Sequence, residues 1–325
     1  MDGTFLRGKI IDKDRLRALM QRSDAAGALQ AASHFGAIAL SGWGLWSLWG
    51  TWAAIPLFMI HGVLLNFLYA GQHELSHGTP FKTRWINIAL GRLIGFLMLY
   101  PRDFDQIQHF AHHQWTTDWE KDGELQREPY TLTSYLLWFL GPSYWLSRIT
   151  RLLRFARGIV HEPYVRADQE PRVIFEARLH LAGYALIAAV SVAAGSWAAV
   201  ILWLAPMLTM KWVHQLQNTI EHLGMAHSGD ILENTRSTRT NAVLRWLCWN
   251  MQYHTAHHAF PSVPFHKLKA LNAEMTEGAG KPPWSMGYLE FQLALMRRLI
   301  GGRSEADYPM DEVWITPSGD RVPLD

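Results

Sequence analysis

From Ala25 to His73, a run of 49 residues, the chain contains no Asp, Glu, Lys or Arg. One helix crossing a bilayer takes about 20 residues, so a run of this length accommodates two of them with a tight turn between. Gly50-Thr51 supplies the turn, and the spacing predicts spans over Ser33–Trp49 and Trp52–Ala70. Pro56 falls in the first turns of the second span, where its missing N–H breaks no helical bond. A second charge-free run, the 32 residues Leu179 to Met210, divides at Gly195-Ser196 into shorter spans over Leu179–Ala194 and Trp197–Met210.

The rest of the chain must stay in water or at the interface, because mean hydropathy over all 325 residues is only −0.05. Neither Gly50 nor Gly195 has a charge beside it, and all 30 Lys and Arg lie away from these turns. Four spans in two hairpins therefore put every charged segment on one side, which the positive-inside rule makes the cytoplasm. The expected fold is an all-α integral membrane protein: four transmembrane helices in two hairpins beneath a cytoplasmic helical cap. Its expected location is a bacterial inner membrane, with both termini cytoplasmic. Residues 1–24 are polar and mixed in charge. They read as a cytoplasmic segment, helical from Asp14 to Met20, and not as a cleaved signal. The chain divides on this reading into a cytoplasmic N-terminal segment (1–32), a membrane domain (33–270) and a cytoplasmic C-terminal helix and tail (271–325).

Between the runs, Trp85–Tyr100 carries Arg92 and suits a helix lying on the membrane surface. The charged stretch Asp118–Arg127 reads as a solvent-exposed connection. Tyr130–Leu146 is apolar and leads into Arg148, Arg151, Arg154 and Arg157, a stripe expected to snorkel toward lipid headgroups. A net charge of +2 gives no argument for nucleic acid as a partner. The single cysteine, Cys248, excludes an intrachain disulfide framework and a Cys-ligated iron–sulfur cluster, and is expected as a buried core thiol.

Three histidine clusters carry the chemistry: His73-Glu-Leu-Ser-His77, His109-Phe-Ala-His112-His113 and His254-Thr-Ala-His257-His258. On a helix, positions i, i+3 and i+4 share a face, so each cluster aims its imidazoles in one direction. The two-hairpin topology puts all three on the same face of the membrane. Eight neutral nitrogen ligands are enough for more than one transition metal, and a set without cysteine suits non-haem iron. Glu74 and Glu221 are the carboxylates adjoining these histidines; each is expected to orient an imidazole and not to bind metal itself. His214, Asn218 and His222 recur at intervals of four, on one helical face. His34 and His61, alone within the spans, are expected to be packed and hydrogen-bonded.

This pattern resembles the membrane fatty-acid desaturase superfamily, defined by boxes HxxxH, HxxHH and HxxHH. The likeness covers about residues 35–270 and extends to the box order and to Phe260-Pro-Ser-Val-Pro264 after the third box. It implies two non-haem irons held by His73, His77, His109, His112, His113, His254, His257 and His258. Asn218-Thr-Ile-Glu-His222 matches the family's further Asn-x-x-x-His element, making His222 a ninth ligand and Asn218 the holder of a water at the iron. His214 is then a candidate to stand behind the ligands. The resemblance further implies dioxygen as co-substrate and an external ferredoxin-like or cytochrome-like electron donor. The implied reaction introduces a C=C bond into a fatty-acyl, lipid-type or related aliphatic substrate. Hydroxylation of a lipid, carotenoid or small metabolite would use the same ligands. Box one is HxxxH and not HxxxxH, which favours an acyl-lipid or unusual substrate over acyl-CoA. Box three opens with His254 and not Gln, which argues against the front-end group.

Two other classes compete. His73-Glu74-Leu-Ser-His77 is also HExxH, the zinc-peptidase motif with Glu74 as general base, though a peptidase would leave two clusters idle. A membrane metal carrier would want ionisable groups along its spans, where only His34 and His61 occur.

Overall fold

The computed structural model describes residues 10–125, 127–315, 321 and 324, and its regular structure is almost entirely helical. Of the expected N-terminal segment, residues 1–9 lie outside the described residues. Asp12 accepts the N–H groups of Asp14 and Arg15 and so starts α1 (Lys13–Leu19), close to the helix expected there.

The first charge-free run folds into α2 (Asp24–Ser47) and α3 (Ala54–His77), paired across a turn in which Gly50 takes φ +86°. Ser23 caps α2 by accepting the N–H of Ala26. The lone histidines of this hairpin are partnered. His34 Nε2 lies 3.0 Å from the Leu64 carbonyl, and His61 bridges Ser41 Oγ and the Leu202 carbonyl at 2.8 Å each. Helix α3 does not stop where the apolar run does. It continues to His77 and carries the whole first histidine box on its last turns. Gly78 then closes it in the left-handed conformation, φ +65°, donating its N–H to the Leu75 carbonyl.

Helices α4 (Arg84–Leu97) and α5 (Arg102–Trp115) pack against α3, and α5 carries the second box. The apolar stretch expected over 130–146 breaks at Gly141, φ +105°, into α6 (Leu132–Phe139) and α7 (Pro142–Ala156). The second hydrophobic pair is α8 (Glu170–Ala193), which starts well before the charge-free run, and a π-helical turn over Val200–Leu204 that leads into α9 (Ala205–Thr209). This last segment seats on α3 because Gly62 has no side chain: a Cβ there would stand 2.4 Å from the Pro206 carbonyl oxygen. Asn66 Nδ2 then donates to the Gly62 and Met207 carbonyls, both at 2.8 Å.

Among the described residues, two helices, α3 and α8, are long and apolar enough to cross a membrane. Helix α8 turns Leu179, Leu186, Val190 and Val192 outward, and α2 exposes Leu40, Trp43 and Trp46. Apolar surface on this scale marks a region made for something other than water.

Helix α10 (Lys211–Ile220) runs from the second pair into the cap. There α11 (Ile231–Asn234), α12 (Ala242–Leu247), α13 (His254–Ala259), α14 (Leu268–Ala279) and α15 (Tyr288–Ile300) follow in order. The one departure from an all-helical fold among the described residues is a pair of three-residue parallel strands, β1 (Ser237–Arg239) and β2 (Ser285–Gly287). Ser237 Oγ also accepts the Thr255 N–H, tying this pair to the helix that carries the third box.

Trp249 locks that helix to the hairpin. It is fully buried, donates from Nε1 to His34 Nδ1 at 3.2 Å, and lies against Gly71, where a Cβ would come within 2.9 Å of its ring. Trp249 and Asn250 both take left-handed φ, +51° and +61°. Such a conformation is uncommon away from glycine and persists only where packing enforces it.

Candidate metal centre

The three boxes converge. His73, His77, His109, His113 and His257 form one group and His112, His222, His254 and His258 a second, with the nitrogens of each within 4.8 Å of one another. The sharing between boxes follows from helix geometry. On α5, His109 and His113 are one turn apart and face the first group, while His112 points across to the second. On α13, His257 and His258 part in the same way.

Within the first group, the Nε2 atoms of His77 and His109 lie 2.7 Å apart, His109 and His113 2.9 Å, and His113 and His257 3.2 Å. In the second, His222 Nε2 lies 3.2 Å from that of His112 and 2.8 Å from that of His254. Lone pairs so close repel unless a proton or a cation stands between them. Spacings near 3 Å are those of nitrogen donors around a shared ion bound at about 2.0–2.1 Å, the usual zinc–imidazole length. Burial, with the neighbouring rings, holds His109, His113, His254 and His258 well below the usual histidine pKa, and His222 and His257 at about 3. Neutral imidazole is the form that binds metal. The donor set therefore fits two first-row cations.

Behind the imidazoles stand carboxylates, two of which the sequence pattern does not reveal. Asp122, expected on an exposed connection, is fully buried, and both its oxygens lie 2.9 Å from His112 Nδ1. Its carboxylate also accepts the N–H groups of Thr117, Glu124 and Leu125. Burial alone would raise its pKa, but His112 and the Glu124 N–H more than offset that and keep it low. His112 is the exception among the imidazoles: burial disfavours its charge, yet Asp122 and Glu124 lift it to about 9, so a cation at its Nε2 would displace a proton. Glu124 Oε1 accepts from His109 Nδ1 at 2.8 Å. So the expected solvated connection holds for Glu120 and Lys121, which are exposed, but Asp122 and Glu124 turn back from it to orient two histidines of box two. The available signal was Asp122-Gly123, a tight-turn pair just past the box. The turn needs Gly123, where a Cβ would stand 2.8 Å from the Gln108 carbonyl oxygen.

The two expected orienting carboxylates sit near the third box. Glu74 Oε1 lies 3.3 Å from His257 Nδ1, and Oε2 accepts the Phe265 N–H. Glu221 Oε1 lies 3.5 Å from His254 Nδ1 and accepts from Gln217; burial pushes its pKa up to about 8. His222 Nδ1 donates to the Asn234 carbonyl at 3.1 Å. His214 stands apart from the ligand nitrogens, with Nδ1 2.9 Å from Lys211 Nζ and its ring edge-on to Phe67 and Tyr69.

A cavity of about 500 Å³ opens onto His73, His112, His222 and His254, with Asn218 and His214 in its wall. Arg148 lines it too, its guanidinium 3.0 Å from the centre of the Tyr100 ring. The arginine stripe therefore does not all snorkel: Tyr69, Tyr100 and Tyr144 draw this member inward. Cys248 is buried, as expected of a core thiol.

Residues 47–289 match the fatty acid desaturase family model. Among curated proteins, the chain is 22% identical over 248 residues to an sn-1 oleoyl-lipid 12-desaturase of Picosynechococcus sp., an alignment covering 70% of each protein. It is 23% identical to a fatty acid desaturase of Bacillus subtilis over 244 residues, 66% of each. With an sn-1 oleoyl-lipid 12-desaturase of Anabaena variabilis it shares 21% identity over 323 residues, 90% of this chain and 87% of the relative. A desaturase-type oxidation is the reaction common to these names, which makes the protein an oxidoreductase. The chain belongs to the fatty acid desaturase family.

Proposed function

We propose that this protein is a membrane-embedded, dioxygen-dependent di-iron desaturase that removes two hydrogens from adjacent carbons of an aliphatic substrate. One iron would be held by His73, His77, His109, His113 and His257, the other by His112, His222, His254 and His258. The observation that carries this reading is the division of nine imidazoles into two facing groups beside one cavity. When bound, the irons supply the oxidising power drawn from dioxygen, with electrons arriving from an external ferredoxin-like or cytochrome-like donor.

The chain's own residues do the rest. Asp122 and Glu124 hold protons on Nδ1 of His112 and His109, which leaves Nε2 of each free to face the cations. Glu74 and Glu221 stand 3.3 and 3.5 Å from Nδ1 of His257 and His254, without a hydrogen bond, and would orient the third box by that proximity. Asn218, which lines the same cavity as His222, would hold water near the second group. The cavity walls exclude bulk water from the reacting carbon.

Embedding rests on the exposed apolar faces of α2 and α8 and on the two helices long enough to span. Four segments in two hairpins, with the cap and both termini in the cytoplasm of a bacterial inner membrane, is the topology that suits them. Residues 1–32 and 271–325 would flank the membrane domain on that side.

The peptidase reading needs Glu74 free to act on a zinc-bound water. Its two oxygens instead face His257 and the Phe265 backbone, outside the cavity. Hydroxylation by the same centre is the second outcome to be measured. Lipid and metabolite profiling of cells with and without the gene separates the two. A product lighter by two hydrogens supports desaturation, a gain of one oxygen makes it a hydroxylase, and no oxidised product refutes both.

A further inference from the structure

The cavity beside the histidines is polar on its far wall. Arg148 lines it, with Nη1 shielded from solvent and lacking a hydrogen-bond partner. Lys211 is fully buried next to it, its Nζ 3.9 Å from the centre of the Tyr144 ring and 2.9 Å from His214 Nδ1. Among the described residues, no carboxylate oxygen lies within 4.0 Å of the Arg148 guanidinium or of Lys211 Nζ, and burial pushes the Lys211 amine toward its neutral form. The acids whose field reaches Arg148 are committed elsewhere: Asp105 accepts from Ser76 and Glu124 from His109. Burial also brings Asp105 up to about 7, so it neutralises Arg148 poorly.

A guanidinium half withdrawn from water, with one nitrogen shielded and no anion beside it, carries a cost that aromatic faces only partly recover. An anion arriving from outside would offset that cost, and the planar fork of arginine matches a carboxylate or phosphate. A neutral acyl ester would leave that fork empty at the head of the cavity.

We infer that the substrate carries an anionic group, a carboxylate or a phosphate, that docks on Arg148 while its hydrocarbon part extends toward His73, His112, His222 and His254. Lys211 backs the site, and Tyr69, Tyr100 and Tyr144 frame it. This rests on the proposed function only in taking the occupant of the cavity to be the substrate.

The test measures binding, not turnover, on the full-length iron-loaded protein in detergent micelles, by equilibrium dialysis corrected against empty micelles. The probes are octanoate, octyl phosphate and methyl octanoate. At least one anion should bind about tenfold or more tightly than the ester, the scale of one hydrogen bond to a charged group. The better of the two anions identifies the group. Arg148→Met should remove the preference and Arg148→Lys restore part of it. Equal binding of ester and anions by the unaltered protein would overturn the inference without any variant. So would a preference that survives in a folded Arg148→Met protein. No preference in an unaltered protein that does oxidise its substrate sinks this inference alone; a clear preference in an unaltered protein that oxidises nothing sinks the proposed function alone.

Discussion

His112 and Asp122 are ten residues apart and meet in the interior, the imidazole Nδ1 2.9 Å from each carboxylate oxygen and both side chains buried. The contact fixes which histidine nitrogen is left for metal and turns the ring toward the second group. Asp122→Asn keeps the shape and removes the charge. Metal retention against a chelator should fall by about 10–100-fold, the usual effect of losing a ligand's outer partner. Glu124→Gln should cost less, because the Glu124 side chain is 23% exposed. Metal retained per chain after graded chelator dialysis checks both.

Glu74 distinguishes enzyme classes. As a residue that orients His257 it can be replaced by Gln with reduced but measurable oxidation. As the general base of a peptidase it cannot be replaced at all. Product formation by Glu74→Gln, set beside a peptidase assay of the unaltered protein, decides the matter. Peptide cleavage that vanishes in the variant would refute the orienting role of Glu74.

Gly71 is predicted to tolerate no side chain. Any Cβ there meets the Trp249 ring at 2.9 Å, and Trp249 is fully buried. Gly71→Ala should lower stability by about 1–3 kcal/mol, the range for overpacking a close-fitted core. Thermal melting in detergent measures it, and an unchanged melting temperature would mean that Trp249 is free to move.

Asp105 should make stability depend on pH. Burial raises its pKa from 3.8 to about 7, so the folded protein holds a proton that the unfolded chain releases. This part of the stability is present at low pH and is lost as pH rises from about 4 to about 7. Asp105→Asn should flatten the decline in melting temperature across that window. A decline as steep as in the unaltered protein would assign it to another group.

The histidine positions were legible because their spacing is a property of one helix, and a helix repeats wherever it sits. The hairpins were legible from missing charge, though α3 runs on to His77 where the apolar run suggested a stop near Ala70. Asp122 and Glu124 were not legible: a densely charged stretch after a box reads as a solvated loop, and only the Asp122-Gly123 turn folds it back. The inward turn of Arg148 was hidden for a similar reason. Arginine at every third position reads the same from either side; Arg148, Arg151 and Arg154 are all half-buried, and only the tyrosines gathered around Arg148 set it apart.

The central claim is a pair of metal sites, and metal counting tests it most directly. Full-length protein purified from iron-replete cells should contain two irons per chain and no stoichiometric zinc. His113→Ala, in the first group, and His258→Ala, in the second, should each lose iron and activity while the protein remains in the membrane. One zinc per chain without iron, or an iron content unchanged by both substitutions, would contradict the account.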